Sequence, residues 1–125
     1  MNGYIDLFVL PVPKNRLKRY CKISTQFGKL FKSLGALNYR EFVGEDISKG
    51  KNGNAPFQKI IKLKKGEVLV SAAIEFKSKS QRNKINEMVR KDKRAMEIIK
   101  KASKDMEAMD MKRTYYGGFE TIVNP

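Results

Sequence analysis

A chain of 125 residues is long enough for one domain with a core of its own and too short for two. With 41% apolar and 10% aromatic residues the composition is globular, and no apolar run approaches the roughly 18 to 20 residues that span a bilayer. The sequence has no His and a single Cys, which excludes Ser-His-Asp and Cys-His chemistry, a histidine-bound metal, a structural zinc and an internal disulfide, so any catalysis falls to carboxylates, Tyr, Lys, Arg or a bound cofactor.

The net charge of +14 comes from 27 basic and 13 acidic residues and raises the question of a polyanion partner. Most of the cations are Lys and are spread along the chain, as on an ordinary solvated surface. The N-terminal stretch M-N-G-Y-I-D-L-F-V-L has no basic region ahead of its apolar run and carries Asp6 inside it, unlike a secretory signal. A soluble, cytoplasmic protein is the expectation.

In chain order, Y-I-D-L-F-V-L at 4–10 is apolar on both parities and reads as a central strand, stopped by Pro11 and Pro13. From Lys14 to Leu34 the positions Leu17, Tyr20, Cys21, Phe27, Leu30, Phe31 and Leu34 recur at three and four, an amphipathic helix with Gly35 as its left-handed stop. On that stripe Cys21 reads as a buried structural thiol. A polar edge strand follows over 36–46, then a Gly- and Asn-rich loop over 47–56 and an extended F-Q-K-I-I-K-L segment. V-L-V-S-A-A-I-E-F at 68–76 is the second central strand. Ser78 caps a helix to about Arg90 with Ile85, Met88 and Val89 inward, a break falls at 92–94, and a further helix carries Met96, Ile99, Ala102 and Met106 as flexible core. K-R-T-Y-Y-G-G-F-E-T-I-V at 112–123 closes the chain as a strand with two glycines inside it. A pair of glycines there marks a bulge or a close approach.

The order βαββαβ predicts an α+β, ferredoxin-like domain over 1–125, a four-stranded antiparallel sheet in the order 4-1-3-2 with the helices on one face. Ile5, Leu7 and Val9 with Val68, Val70, Ala72 and Ile74 suit the helix side. The opposite parity places Tyr4, Asp6 and Phe8, then Ser71, Ala73 and Glu75, then Tyr39 and Glu41, then Tyr116, Gly118 and Glu120, on the helix-free side. Such an aromatic field set with carboxylates calls for a cover, and a second copy across a two-fold axis is the simplest one. Gly117 and Gly118 clear side chains from the two faces, Gly118 from the side a partner or ligand approaches. The acids then either pair with Arg40, Arg113 or backbone at a dimer seam, or line a small-molecule pocket. The same topology builds the RNA-recognition motif, and L-F-V-L-P-V at 7–12 is similar to its first strand. Ser71 and Ala73 stand where its stacking rings belong, so nucleic acid is not an expected partner.

F-V-L-P-V-P-K near the start, L-F-K-S-L-G-A-L at 30–37, I-E-F-K-S-K-S-Q-R-N at 74–83 and K-R-T-Y-Y-G-G-F-E at 112–120 resemble the YbaA-like bacterial proteins, a family of unknown function. That family is similar in fold to the dimeric α+β barrel superfamily, which includes cofactor-independent antibiotic-biosynthesis monooxygenases, haem-degrading enzymes and stress-response barrels. Asp6, Glu41, Glu75 and Glu120 fall where the family pattern also has acids. Ala73 stands where members can carry Trp and Asn83 where Asp is usual, so no Trp-lined pocket is carried over, and a haem mechanism with a histidine ligand has no residue here to serve it. The resemblance implies a homodimeric barrel with room for a small organic molecule between sheet and helices; no cofactor and no metal are expected. If it is an enzyme, the implied reaction is monooxygenase-like or isomerase-like, with Asp6 or Glu75 in proton transfer and Tyr116 orienting the substrate. A binding or stress-response protein is the alternative, and a basic polyanion binder ranks below both.

Overall fold

The computed structural model describes residues 2–125. Strand β1 (Tyr4–Pro13) leads through a single 3-10 turn at Lys14–Arg16 into helix α1 (Leu17–Ser33), followed by β2 (Asn38–Val43), β3 (Glu67–Phe76), α2 (Lys79–Lys91), α3 (Lys93–Glu107) and β4 (Tyr115–Glu120). All neighbouring strands pair antiparallel in the order β2-β3-β1-β4, which is the expected 4-1-3-2 sheet read from its other edge. The fold is ferredoxin-like.

Local chemistry sets the boundaries. Helix α1 ends where Gly35 takes φ +119°, and the Ala36 and Gly35 N–H groups close back onto Phe31 and Lys32 carbonyls, the pair of bonds that satisfies a helix C-terminus. The Ser78 hydroxyl accepts from the Gln81 N–H at 3.1 Å and starts α2. Asp92, with ψ 132°, ends α2, and its carboxylate accepts from the Arg94 N–H at 2.7 Å to start α3. The segment around Phe57 forms a 3-10 turn, Phe57–Lys59, instead of an extended stretch. The closing strand is shorter than its sequence suggests, because Met111–Arg113 turn before it and the chain leaves the sheet after Glu120.

The sheet's two sides correct the expected parity. Register pairs Tyr4 with Phe76, Asp6 with Ile74, Phe8 with Ala72 and Leu10 with Val70, so these residues share one face. That face lies beneath the helices: Ile74 and Phe76 pack with Ile85 and Val89 of α2, with Phe31 of α1 and with Leu34 just after it, while Leu10, Val12 and Val70 pack with Leu17 and Tyr20. Val68, Val70, Ala72 and Ile74 are where they were expected. Ile5, Leu7 and Val9 are not; they face away from the helices. The aliphatic trio looks more like core than a parity containing Asp6, but a buried carboxylate with a buried cation beside it can belong to a core, and α2 supplies that cation.

Two further expectations change. Cys21 is exposed, because it lies on the flank of α1 above an open groove bordered by Tyr39 and Glu41 of the edge strand β2. Met88, Met96, Ile99 and Met106 are also substantially exposed, and the buried residues of α3 are Ala95 and Ala102. Helix α3 therefore rests on α1 and α2 through a small-residue stripe and does not spread its large side chains over the sheet.

The start of β3 is tied to the approach of β4 by a bidentate ion pair, Arg113 Nη2 to Glu67 Oε1 at 2.5 Å and Nη1 to Oε2 at 2.9 Å. The Arg113 hydrogen bonds, aided by the Lys64 N–H and opposed by burial, lower the Glu67 pKa to about 2 from an ordinary 4.5. A carboxyl depressed on folding stabilises above its unfolded pKa and loses that contribution as pH falls through the folded one. The stability difference between wild type and Glu67→Gln is therefore expected to be full above about pH 4.5 and to vanish toward pH 2, read by urea unfolding across that range.

Candidate functional site

Three sites lie between sheet and helices. The first is built on the register of β1 and β4, which sets Tyr4, Asp6 and Phe8 beside Glu120, Gly118 and Tyr116. From above, the first turns of α2 bring Arg82 down. Its Nη1 donates to Asp6 Oδ1 at 2.8 Å and to the Tyr116 hydroxyl at 2.5 Å, and that hydroxyl donates in turn to Asp6 Oδ1 at 2.9 Å. The guanidinium carbon lies 4.8 Å from the centre of the Tyr4 ring, and the Tyr116 ring is 4.9 Å from that of Phe8. Asp6 is 2% exposed. Burial, then the hydrogen bond and charge of Asp6, push the Tyr116 pKa up, with Arg82 acting in the opposite sense. Burial is the largest single influence and works against the Arg82 cation, but Asp6 together with the Tyr116 and Tyr4 phenols more than offsets it and raises the pKa.

The strand glycines find their reason here. A Cβ on Gly118 would collide with the Tyr4 hydroxyl oxygen and with the ring behind it. Tyr4 therefore rests on bare backbone, Arg82 on Tyr4, and Asp6 on Arg82. Gly118 clears space for a side chain of its own chain, on the helix side. Gly117, across from Leu7, lies on the other face, beneath the Phe119 ring.

The second site is under α1. Glu41 of β2 accepts a hydrogen bond from the Tyr20 hydroxyl of α1, with Tyr39 beside it. Both phenols are pushed well above their ordinary range, by burial first and then by Glu41. Tyr39 fits because α1 carries Gly28, whose Cβ would meet that ring at 2.7 Å.

The third is a cavity of about 190 Å³ where α3 and the turn after it diverge from α1 and β1. Its walls include Leu10, Phe27, Met106 and Met109, with Tyr20 at its inner side and the Arg16–Asp105 pair, 3.0 Å apart, at its edge. Its surface is almost wholly apolar.

The sequence candidates thus divide among three places. Asp6, Tyr116, Tyr4, Gly118 and Glu120 gather at one end of the helix side, where Glu120 also accepts from the Asn2 amide. Glu41 stands apart beneath α1. Ala73, Glu75 and Gly117 lie on the helix-free face. Arg82, the partner of Asp6, is not among the sequence candidates, since a basic residue on a Lys-rich helix gives no sign of pointing inward. The cavity is not among them either; its one trace in the sequence is the cluster Met106, Met109, Met111, which reads equally well as core filler. Among the described residues no group of three or more Cys, Asp or Glu could hold a metal ion, and no helix is long and apolar enough to cross a membrane.

A family described as "Protein of unknown function (DUF1428)" matches residues 3–111. The chain is 33% identical over 121 residues to the uncharacterized protein YbaA of Escherichia coli strain K12, covering 97% of each. Among solved structures it is similar to a nipsnap family protein of unknown function from Agrobacterium tumefaciens, with a TM-score of 0.58 at 14% identity, over 95% of this chain and 87% of that one. It is also similar to a dimeric ferredoxin-like protein from an uncultured marine organism, with a TM-score of 0.55 at 9% identity, over 98% and 96%. At these identities the likeness is one of fold.

Truncating one member of a buried ion pair strands the other charge and costs about 3–5 kcal/mol, whereas removing both costs far less. Arg82→Met alone is therefore expected to destabilise the domain by that amount, and Arg82→Met combined with Asp6→Leu by substantially less, measured by chemical denaturation as a double-mutant cycle. Gly118→Ala should cost about 1–3 kcal/mol by displacing Tyr4.

Proposed function

The chain belongs to the DUF1428 family of proteins of unknown function, and we propose that it works as a homodimer, closed through the helix-free side of its sheet, that binds a small apolar organic molecule in the cavity between sheet and helices. The cavity of about 190 Å³ is the observation that carries the binding role. An apolar cavity of about 150 Å³ takes up a benzene ring, and this half-open one has comparable room and is nearly free of polar surface.

The dimer is supported by what the helices leave bare. Loop 44–61 folds over one end of the helix-free face, where Ile47 and Phe57 meet Val9, Leu69 and Ser71. Beyond it Leu7 (36% exposed), Phe42, Tyr115 and Phe119 (53% exposed) stand open to solvent. Large apolar side chains exposed together on one face of a sheet mark an interaction surface. The ferredoxin-like protein of the marine organism is itself described as dimeric, which concerns that protein and adds support through shared fold alone.

Binding has more support than proton-transfer catalysis. A general base needs a carboxylate free of a cation, and Asp6 has Arg82 at 2.8 Å. Glu75 forms no ion pair among the described residues, but it sits on the side proposed for the seam, away from the cavity.

Sedimentation should find a dimer at micromolar concentration and a folded monomer for Leu7→Asp combined with Phe119→Asp; a wild type that sediments as a monomer contradicts the dimer. Toluene, as a neutral cavity probe, should raise the Tm by a few degrees when well above its Kd. Met109→Trp, which fills the cavity, should abolish the rise, and an unchanged rise in that variant places the binding elsewhere.

A further inference from the structure

We infer that the ligand is an anion with a single-ring apolar body, an aromatic carboxylate, its ring in the cavity and its carboxylate on the cationic groove between α1 and α3. This rests on the cavity being a binding site, as proposed above. The cavity shares Ile23 and Asp105 with a groove of about 280 Å³ that also carries Arg19, Lys22 and Lys101. The two adjoin at these residues, the cavity lined almost wholly by apolar surface and the groove carrying the cations.

The charge at the junction is unbalanced. A single Asp105 oxygen accepts from Arg16 at 3.0 Å and from Arg19 at 3.5 Å, so one carboxylate serves two guanidinium groups, and Lys22 and Lys101 add two cations with no further acid among the residues that line the groove. Four cations against one anion leave a positive field beside the rim of the cavity. A ligand cation would be repelled. A neutral molecule would leave the excess unmatched. The Asp105 side chain is 24% exposed, which leaves the pair reachable from the groove for an incoming carboxylate to share the guanidinium donors.

The inner walls favour a ring over a chain. Met106 and Met109 offer polarizable sulfur, which makes favourable contacts with aromatic edges, and Phe27 and Tyr20 offer faces for offset or edge-on stacking. The volume has room for a single ring.

Three molecules with the same ring and different charge separate the contributions: phenylacetate, 2-phenylethanol and 2-phenylethylammonium, titrated calorimetrically into the wild-type protein. Phenylacetate should bind roughly tenfold more tightly than the alcohol, and the ammonium most weakly of the three. The preference for phenylacetate should shrink as salt rises. In the Arg19→Gln, Lys22→Gln, Lys101→Gln variant, whose three positions are on the solvent side, phenylacetate should fall to the affinity of the alcohol while the alcohol is unchanged. Equal wild-type affinities for acid and alcohol overturn the anion assignment and leave the apolar cavity standing. A preference that survives in the triple variant overturns the groove as its source. If none of the three binds and toluene does not either, the cavity reading itself fails.

Discussion

The contact between the Arg82 guanidinium and the buried Asp6 carboxylate decides which side of this sheet is inside. Asp6 on a central strand needs a cation or several donors, and burial without them costs more than a domain of this size can spare. Arg82 from α2 and the Tyr116 hydroxyl from β4 meet that need together. Three elements remote in sequence converge on one oxygen, and the parity of β1 follows. With Asp6 inward, Phe8, Leu10 and Val12 are also inward, and Ile5, Leu7 and Val9 are turned out. The apolar helix-free face is thus a geometric consequence of where the carboxylate is satisfied.

The same network explains the small residues around it. Tyr4 carries Arg82 on its ring face and needs Gly118 under it. On the opposite flank Tyr39 needs Gly28 beneath α1. These are packing requirements, in which a methyl group would collide with a ring already held on its far side. Helix α3 lies beyond this framework. It packs on α1 and α2 with Ala95 and Ala102 as its buried residues, and beyond them Met106 and Met109 line the cavity.

Much of the architecture was legible in the sequence. Two strands apolar on both parities, one polar strand, a helix stopped by Gly35, Ser78 as a cap and a break at Asp92 sufficed for the βαββαβ order and the strand order. The parity was not legible, because Ile5, Leu7 and Val9 outrank Tyr4, Asp6 and Phe8 on any apolar scale, and the inward cation that reverses the choice is one Arg among many basic residues on α2. Cys21 misled for a related reason. Periodicity states which face of a helix is apolar, but not whether an edge strand reaches far enough to cover it. Ser71, Ala73 and Glu75, expected on the same face, lie on the other one, and only the shared face of Asp6, Tyr4, Tyr116, Gly118 and Glu120 was anticipated. Their position beneath the helices was not. The Met residues near 106–111 carried a trace of the cavity, but a methionine run fills core as readily as it lines a pocket.

The helix side and the helix-free side are distinguished most directly by the methyl protons of Leu7 and Ile5. In a sample mixing isotopically labelled and unlabelled protein, nuclear Overhauser contacts from these methyls should reach residues of a second copy, while Ile74 and Val12 contact only residues of their own chain. Contacts from Leu7 to Ile85 or Val89 within one chain would place the aliphatic trio under the helices and contradict the assignment of Asp6 to the inner side.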